Sequence, residues 1–436
     1  MNNRERIARN LSMCCMGLGQ IYNRQYTKGA LLLAGQASFI FFLVTRFFAD
    51  VKGLITLGDV PLHMERIDGV RKTVGDHSIF LLIWGVMSFV ILGLFAGLYI
   101  VNMRDARYNG RLQDRGKRPA NIWGSARYVL NNRFPQLMLT IPLIGVAVFT
   151  IMPIVFMIVI AFTNFSSPNY LPPKNLVNWV GFQTFANMAN LEPLRKTFLG
   201  VLTWTVVWAI LSTFTTYVGG ILVALLVQHK AVRLKKMWRL LFIIPYAIPQ
   251  FVSLLMMRQL FNEQFGPINQ YLSFLGLGKL PWLNDPTMAK VTVIVVNMWV
   301  GIPVSMLLVM GILSAIPKDL YEAAEVDGAS AFRKFKNITM PYVLFATTPL
   351  LIMAFAGNIN NFNVIYLLTM GSPPNANYQW AGSTDLLVTW LYKLTLEHNK
   401  YNLASAVGII LFLIVAAFSL WNYRRSRSFR EEDMIQ

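Results

Sequence analysis

Residues 320–341 read LYEAAEVDGASAFRKFKNITMP and lie between two long apolar runs. Counted from Lys318, this stretch carries four acidic and four basic side chains. A far shorter and less polar segment would be enough to join two membrane helices. We therefore expect this charged connector to do more than link them.

The first half of the connector has the signals of a short helix. Asp319 and Glu322 stand at the N-cap and N3 spacing of a capping box, which predicts a helix over residues 320–327. Gly328 follows directly and suits the left-handed backbone position just beyond a helix end.

The second half predicts another short helix. Ser330 can cap the segment AFRKFKNI, which is expected to end at the break that Pro341 imposes. Two short helices at an angle would form a rigid protrusion. The residues alone leave two roles open: docking on a partner protein, or contact of Arg333, Lys334 and Lys336 with lipid phosphate.

The composition on either side of this connector indicates a membrane protein. Of 436 residues, 55% are hydrophobic and only 14% are charged, whereas soluble domains carry about 25% charged residues. On a soluble protein, the net charge of +19 would suggest binding to nucleic acid. In a bilayer protein, the distribution of the charge between the loops indicates the orientation of the spans instead, and no nucleic-acid partner is predicted.

Eight apolar windows are long enough to cross a bilayer, which takes about 20 residues. They span residues 30–48, 79–101, 137–162, 197–228, 240–261, 290–316, 342–365 and 403–421. The sequence therefore predicts an all-α integral membrane protein with eight transmembrane helices.

Basic residues predict the orientation of these spans. With the N-terminus in the cytoplasm, the inner segments hold 26 Lys and Arg residues and the outer segments hold 10. This asymmetry satisfies the positive-inside rule. Both termini, the loop 102–136 and the connector 317–341 are accordingly predicted to be cytoplasmic.

The spans lack the groups that other transporter classes and enzymes need. No Asp or Glu lies within any window, which argues against an ion-coupled secondary transporter without excluding it. The four histidines fall in loops or at a span edge, and the chain has no GxxxxGK[ST] phosphate loop. The chain is thus predicted to be no enzyme, to hold no cofactor or metal, and to leave any ATP chemistry to another polypeptide.

Several positions in the connector have the spacing of a known motif: Glu322, Ala323, Ala324, Gly328, Ile338 and Pro341. This spacing resembles the EAA motif of ABC-importer permeases and departs from it only at Met340, where the family prefers Leu. The resemblance implies that the connector is a coupling helix that fits a cleft on an ATPase subunit. It further implies that Glu322, Ala323, Ala324 and Gly328 carry that contact.

The likeness extends over residues 137–425, where RLLFIIPYAIPQFVS, LFNEQFGPINQYL and TDLLVTW resemble the eight-span permeases of maltose/maltodextrin importers. It implies a six-helix permease core in 137–425 and, as partners, a second homologous permease, two cytoplasmic ATPase subunits and an extracellular sugar-binding protein. Residues 1–136, with two spans and a basic loop, fall outside the resemblance, and 426–436 form a cytoplasmic tail. The large folded insertion found in some such permeases cannot fit in 163–196.

The seventh span carries the polar segment AGNINNFN at membrane depth. Asn358 and Asn361 are three residues apart and are expected to share a helix face. Such amides either bond neighbouring helices together or line a polar cavity. Because an amide pairs donor and acceptor, it matches sugar hydroxyls, and the resemblance implies that Asn358, Asn361 and Gly301 contact the sugar.

Prolines are expected to loosen two further spans. Pro245 and Pro249 lie in the fifth window, and Pro303 follows Gly301 in the sixth. Together with the resemblance, these features predict the permease subunit of an ATP-driven importer for a neutral carbohydrate, in the plasma membrane of a prokaryote. The resemblance implies maltose or maltodextrin as that carbohydrate. An ion-coupled secondary sugar transporter and a membrane scaffold without transport are the alternatives.

Overall fold

The computed structural model describes residues 3–67, 70–170, 175–229 and 231–425, and the predicted tail 426–436 lies outside the described residues. The chain divides into two compact units, Met1–Gly181 and Phe182–Gln436. This boundary places the third predicted span in the first unit. The assignment of that span to a permease domain beginning at residue 137 stays a prediction.

The first unit consists of helices and one hairpin. Its helices are α1 Asn3–Cys14, α2 Leu18–Tyr22, α3 Tyr26–Phe42, α4 Phe48–Thr56, α5 Ser78–Asp114, α6 Ile122–Asn132, α7 Phe134–Val146 and α8 Met152–Ala161. Single π turns at Leu43–Phe47 and Ala147–Ile151 join α3 to α4 and α7 to α8. The antiparallel strands β1 His63–Ile67 and β2 Val70–Val74 depart from the all-α prediction.

A polar network ties α1 to the C-terminal half of α5. The buried Glu5 carboxylate accepts hydrogen bonds from Arg107 at 2.7 Å and Arg111 at 2.8 Å. The Arg111 and Arg107 guanidiniums lower the pKa of Glu5 to about 2. Gln20 of α2 binds the backbone carbonyl of Asn102 at 3.1 Å. The N-terminal residues are therefore part of a folded unit.

The second unit contains the remaining helices in chain order. They are α9 Gln183–Asn190, α10 Glu192–Gln228, α11 Lys235–Ala247, α12 Gln250–Leu260, α13 Pro267–Phe274, α14 Pro286–Ala315, α15 Lys318–Val326, α16 Ala331–Lys334, α17 Met340–Ile359, α18 Phe362–Thr369, α19 Leu387–Leu396 and α20 Tyr401–Arg425. A π turn at Phe335–Thr339 joins α16 to α17.

The described helices confirm the membrane architecture. Seven runs are long and apolar enough to span a bilayer, where helices that follow one another with almost no interruption are counted as one run. The remaining predicted span, the fifth window, corresponds to the pair α11 and α12, which bends by 94° at Ile248–Pro249. A proline removes a backbone donor and clashes with the preceding turn, so the break at Pro249 agrees with the prediction for this window.

The sixth predicted span differs from expectation. Pro303 lies inside α14, which nevertheless continues unbroken from Pro286 to Ala315. Its neighbour α10 approaches very closely: a Cβ on Gly220 would lie 2.3 Å from Ser305 Cβ, and one on Gly301 would lie 2.6 Å from Thr216 Cγ2. Small residues at such crossings allow the backbones of membrane helices to pack tightly, and this packing supports α14 on both sides of Pro303.

Candidate functional sites: the connector and the asparagine cluster

The helix α15 begins two residues earlier than the capping box predicted. It starts at Lys318 after an extended Pro317, and no side chain caps its first turn. Asp319 therefore lies inside the first turn. Its negative charge interacts favourably with the positive end of the helix dipole, but its side chain does not cap the helix. The capping-box prediction was wrong, because the extended Pro317 takes the N-cap position two residues before Asp319.

The end of α15 has the geometry that the sequence predicted. Gly328 adopts φ +71°, and its N–H donates to Glu325 O at 3.1 Å. Ala329 N donates to Ala324 O at 2.9 Å, which completes a Schellman motif. Within the part of the chain that the structure describes, a Cβ on Gly328 would meet no atom within 4 Å. The backbone conformation therefore makes glycine favourable here.

The second short helix is capped as predicted but does not end at Pro341. Ser330 Oγ accepts a hydrogen bond from Arg333 N at 3.3 Å. The chain then passes through the π turn Phe335–Thr339 and continues directly into α17. The predicted break was wrong because a π turn shifts the hydrogen-bond register, which accommodates a proline that has no N–H to donate.

Side-chain contacts hold the two short helices together. Tyr321 Oη and Thr339 Oγ1 lie 2.9 Å apart, and Lys334 Nζ lies 2.7 Å from Glu325 Oε1. The connector is therefore a braced protrusion, as its sequence suggested.

The outer face of this protrusion is exposed. Glu322 and Ala323 are exposed, Ala324 is half-buried and Val326 is 89% exposed. Between Leu320 and the start of α17 lies an apolar groove of about 330 Å³ that includes Pro341. An exposed apolar surface next to a carboxylate suits a protein partner that offers a basic side chain.

The asparagine cluster forms at a break in the seventh span. Helix α17 ends at Ile359, and Asn361 caps α18 by accepting from Val364 N at 3.3 Å. Asn358 and Asn361 therefore do not share one continuous helix face, and that prediction was wrong. The break still brings them together, since Asn361 Nδ2 donates to Asn358 Oδ1 at 3.3 Å.

Neighbouring helices supply further polar groups that the sequence reading missed. Asn358 Nδ2 donates to Thr213 Oγ1 of α10 at 3.0 Å, and Asn361 Nδ2 reaches Asn297 Oδ1 of α14 at 3.5 Å. Asn297 stands one helical turn before Gly301, and an amide within an apolar window was a signal available in the sequence. Gly301 itself packs against Thr216 of α10.

The other two asparagines of the segment do not join this cluster. Asn363 is exposed and donates to Gln250 Oε1 at 3.3 Å, and Asn360 is exposed. Trp208 Nε1 binds the backbone carbonyl of Asn358 at 3.0 Å, which fixes the last turn of α17. The inward-facing polar set thus consists of two predicted amides together with Asn297 and Thr213.

Seven or eight apolar spans, an intramembrane amide cluster and a braced, exposed connector define a multi-span transport permease. The family model of the binding-protein-dependent transport system inner membrane component matches residues 216–430. The chain is also similar over nearly its whole length to sugar-transport permeases of bacteria. It belongs to this family of ABC-importer permeases.

Two relatives from Bacillus subtilis cover the chain almost completely. The galactooligosaccharides transport system permease protein GanP is 38% identical over 95% of this chain and 96% of its own length. The maltodextrin transport system permease protein MdxF is 35% identical over 96% of this chain and 95% of its own. Such coverage reaches into residues 1–136, so the similarity extends further than the sequence analysis expected.

Two further comparisons align with a smaller share of this chain. The maltose/maltodextrin permease MalF of Escherichia coli is 43% identical over 251 residues, which is 57% of this chain and 49% of MalF. A chain of a solved bacterial alginate ABC transporter has a TM-score of 0.57 at 22% identity and covers 69% of this chain and 98% of its own. The latter likeness concerns the fold.

Proposed function

We propose that this chain is a permease subunit of an ATP-driven importer that carries a neutral oligosaccharide of the maltodextrin class. The observation that carries the proposal is the near-complete alignment with sugar-transport permeases. The amide cluster supports it, because donors and acceptors without charge suit a polyol.

The partners follow from the same family membership. A second homologous permease, two cytoplasmic ATPase subunits and an extracellular sugar-binding protein would complete the transporter. Helix α15 would dock on an ATPase subunit through Glu322, Ala323, Ala324 and Gly328. The exposure of Glu322 and Ala323 and the bracing of the helix support this role, because a rigid element can transmit a displacement.

Transport would proceed by a shift between two states of the assembled complex. ATP binding would close the ATPase subunits, move the docked connectors and favour the outward-open state, and hydrolysis would restore the inward-open state. In this scheme the chain itself performs no chemistry, and ATP is hydrolysed on the separate ATPase subunits.

Sugar contact at Asn358, Asn361 and Gly301 is part of the proposal. The bonds from Asn361 Nδ2 measure 3.3 Å and 3.5 Å, longer than the usual 2.9–3.0 Å for N–H···O. Long hydrogen bonds are weak, so exchanging them for bonds to sugar hydroxyls would cost little. Gly301 lies one turn from Asn297 on α14, which places it near the amide cluster.

A galactooligosaccharide is the second candidate substrate, because GanP is 38% identical and MdxF 35%. The complete transporter, reconstituted with its binding protein, distinguishes the two when uptake of maltotetraose and of a galactotetraose is measured in parallel. We expect maltotetraose to be preferred. A preference for the galactoside would reassign the substrate class, and uptake of neither would overturn the proposal.

A further inference from the structure

A polar cavity lies away from the asparagine cluster. It occupies about 270 Å³ between the end of α12, the beginning of α14 and the end of α18. Its polar lining consists mainly of Arg258, Gln259, Asn262, Glu263, Asn284 and Ser372. The positive-inside orientation places all of these residues at the outer ends of their spans.

Opposite charges face this cavity without pairing. Within the described residues, Arg258 makes no ion pair or hydrogen bond through its guanidinium, and no salt bridge joins it to Glu263. Glu263 Oε2 instead accepts a hydrogen bond from Asn284 Nδ2. A guanidinium and a carboxylate that line one cavity but stay apart leave both donors and acceptors for a ligand.

The walls of the cavity are fixed by bonds that do not use these groups. Asn262 Oδ1 accepts from Gln264 N and Phe265 N, each at 3.0 Å, so the Asn262 Nδ2 donor remains. On the opposite wall, Thr384 Oγ1 donates to Ser372 O at 2.7 Å.

Next to that wall, Asp385 is buried and accepts from Lys393 Nζ at 2.7 Å. Burial raises the pKa of the Asp385 carboxyl, while the Lys393 ammonium acts in the opposite direction. A Cβ on Gly371 would lie 2.1 Å from Asp385 Oδ1, so the chain before Ser372 packs directly on this carboxylate. The cavity is thus built on a rigid support.

From this arrangement we infer that the outer cavity is a sugar subsite that receives one end of the oligosaccharide before it reaches the asparagine cluster. The inference rests on the proposed function, because it takes the substrate to be a neutral sugar. The volume lies just below the roughly 300–1,000 Å³ of ordinary ligand pockets, which suits one end of a chain. One positive and one negative group give a lining without net charge, which favours a polyol over an anion.

Two cysteine variants test the subsite in the complete reconstituted transporter. Both are made after Cys14 and Cys15 have been replaced by Ala. Ser372→Cys places a thiol in the cavity, and Ser273→Cys places the control on the exposed surface of α13. A membrane-impermeant maleimide is added from outside, with and without excess maltotetraose, and the labelling rates are compared.

We expect the sugar to slow labelling of Ser372→Cys several-fold, to leave Ser273→Cys unchanged, and to lose its effect when Arg258→Gln is added. Equal rates with and without sugar, or a Ser372→Cys thiol that never reacts, would overturn the subsite. Protection by the sugar-free binding protein alone would assign the cavity to protein docking and also overturn it. Uptake by the unsubstituted transporter in the same vesicles separates the failures: uptake without protection rejects only the subsite, and no uptake rejects the proposed function too.

Discussion

Adding one methyl group to Gly328 should damage coupling by straining the backbone at the end of α15. Gly328 adopts φ +71°, and a Cβ there would touch nothing within 4 Å. Gly328→Ala therefore creates no clash within this chain, and the cost to the chain itself arises from placing an L side chain in the left-handed region. That conformation costs about 1–2 kcal/mol for a residue with a Cβ.

A cost of this size shifts the population of the native connector by a factor of roughly 5–30. The Schellman bonds from Gly328 N and Ala329 N are lost when the residue leaves this conformation, and the angle between α15 and α16 changes with them. We expect sugar-stimulated ATP hydrolysis per assembled complex to fall by up to that factor, while membrane insertion stays normal.

The assay compares three variants of the reconstituted transporter at equal amounts of assembled complex. Gly311→Ala is the matched control, because Gly311 also has open space around its Cβ position but lies within the helix α14. Gly328→Asn should retain part of the activity, since Asn tolerates the left-handed region. Equal stimulated hydrolysis in Gly328→Ala and Gly311→Ala would refute the reasoning.

Four further outcomes are expected. Glu322→Lys reverses the charge on the exposed side of α15 and should abolish co-purification of the ATPase subunits, which a pull-down at unchanged permease yield would detect. Asn361→Ala should lower uptake per assembled complex several-fold, because each lost hydrogen bond costs about 0.5–1.5 kcal/mol. Normal uptake per complex with a reduced yield of the complex would show that Asn361 only joins helices. Lys393→Met leaves the buried Asp385 unpaired and should lower the thermal midpoint by an amount equivalent to about 3–5 kcal/mol, with recovery when Asp385→Asn is added. A thiol introduced into loop 102–136 should resist an impermeant reagent applied from outside, and rapid labelling there would contradict the predicted topology.

Periodicity and composition were sufficient to predict the spans, because each apolar window reaches about the length that a bilayer requires and the segments on the inner side carry most of the basic residues. Pro249 marked the break in the fifth window correctly. Pro303 and Pro341 did not produce breaks, since tight packing against α10 supports one and a π turn accommodates the other. Tertiary contacts of this kind leave no local signal.

For the candidate sites, the sequence predicted part of the geometry. The position of Gly328 followed from its chemistry, because only glycine takes that conformation without strain. The pairing of Asn358 with Asn361 was expected, but through a continuous helix instead of the observed break. Asn297 and the cavity at Arg258 depend on which helices meet, and a single sequence without that information does not reveal them.

The central claim is that ATP hydrolysed on partner subunits drives sugar through this permease. The most direct measurement is uptake of labelled maltotetraose into vesicles that contain the complete transporter and its binding protein, with all ion gradients collapsed. We predict uptake that requires ATP on the ATPase side and that disappears in the Glu322→Lys variant. Uptake that follows an imposed proton or sodium gradient without ATP would contradict the claim.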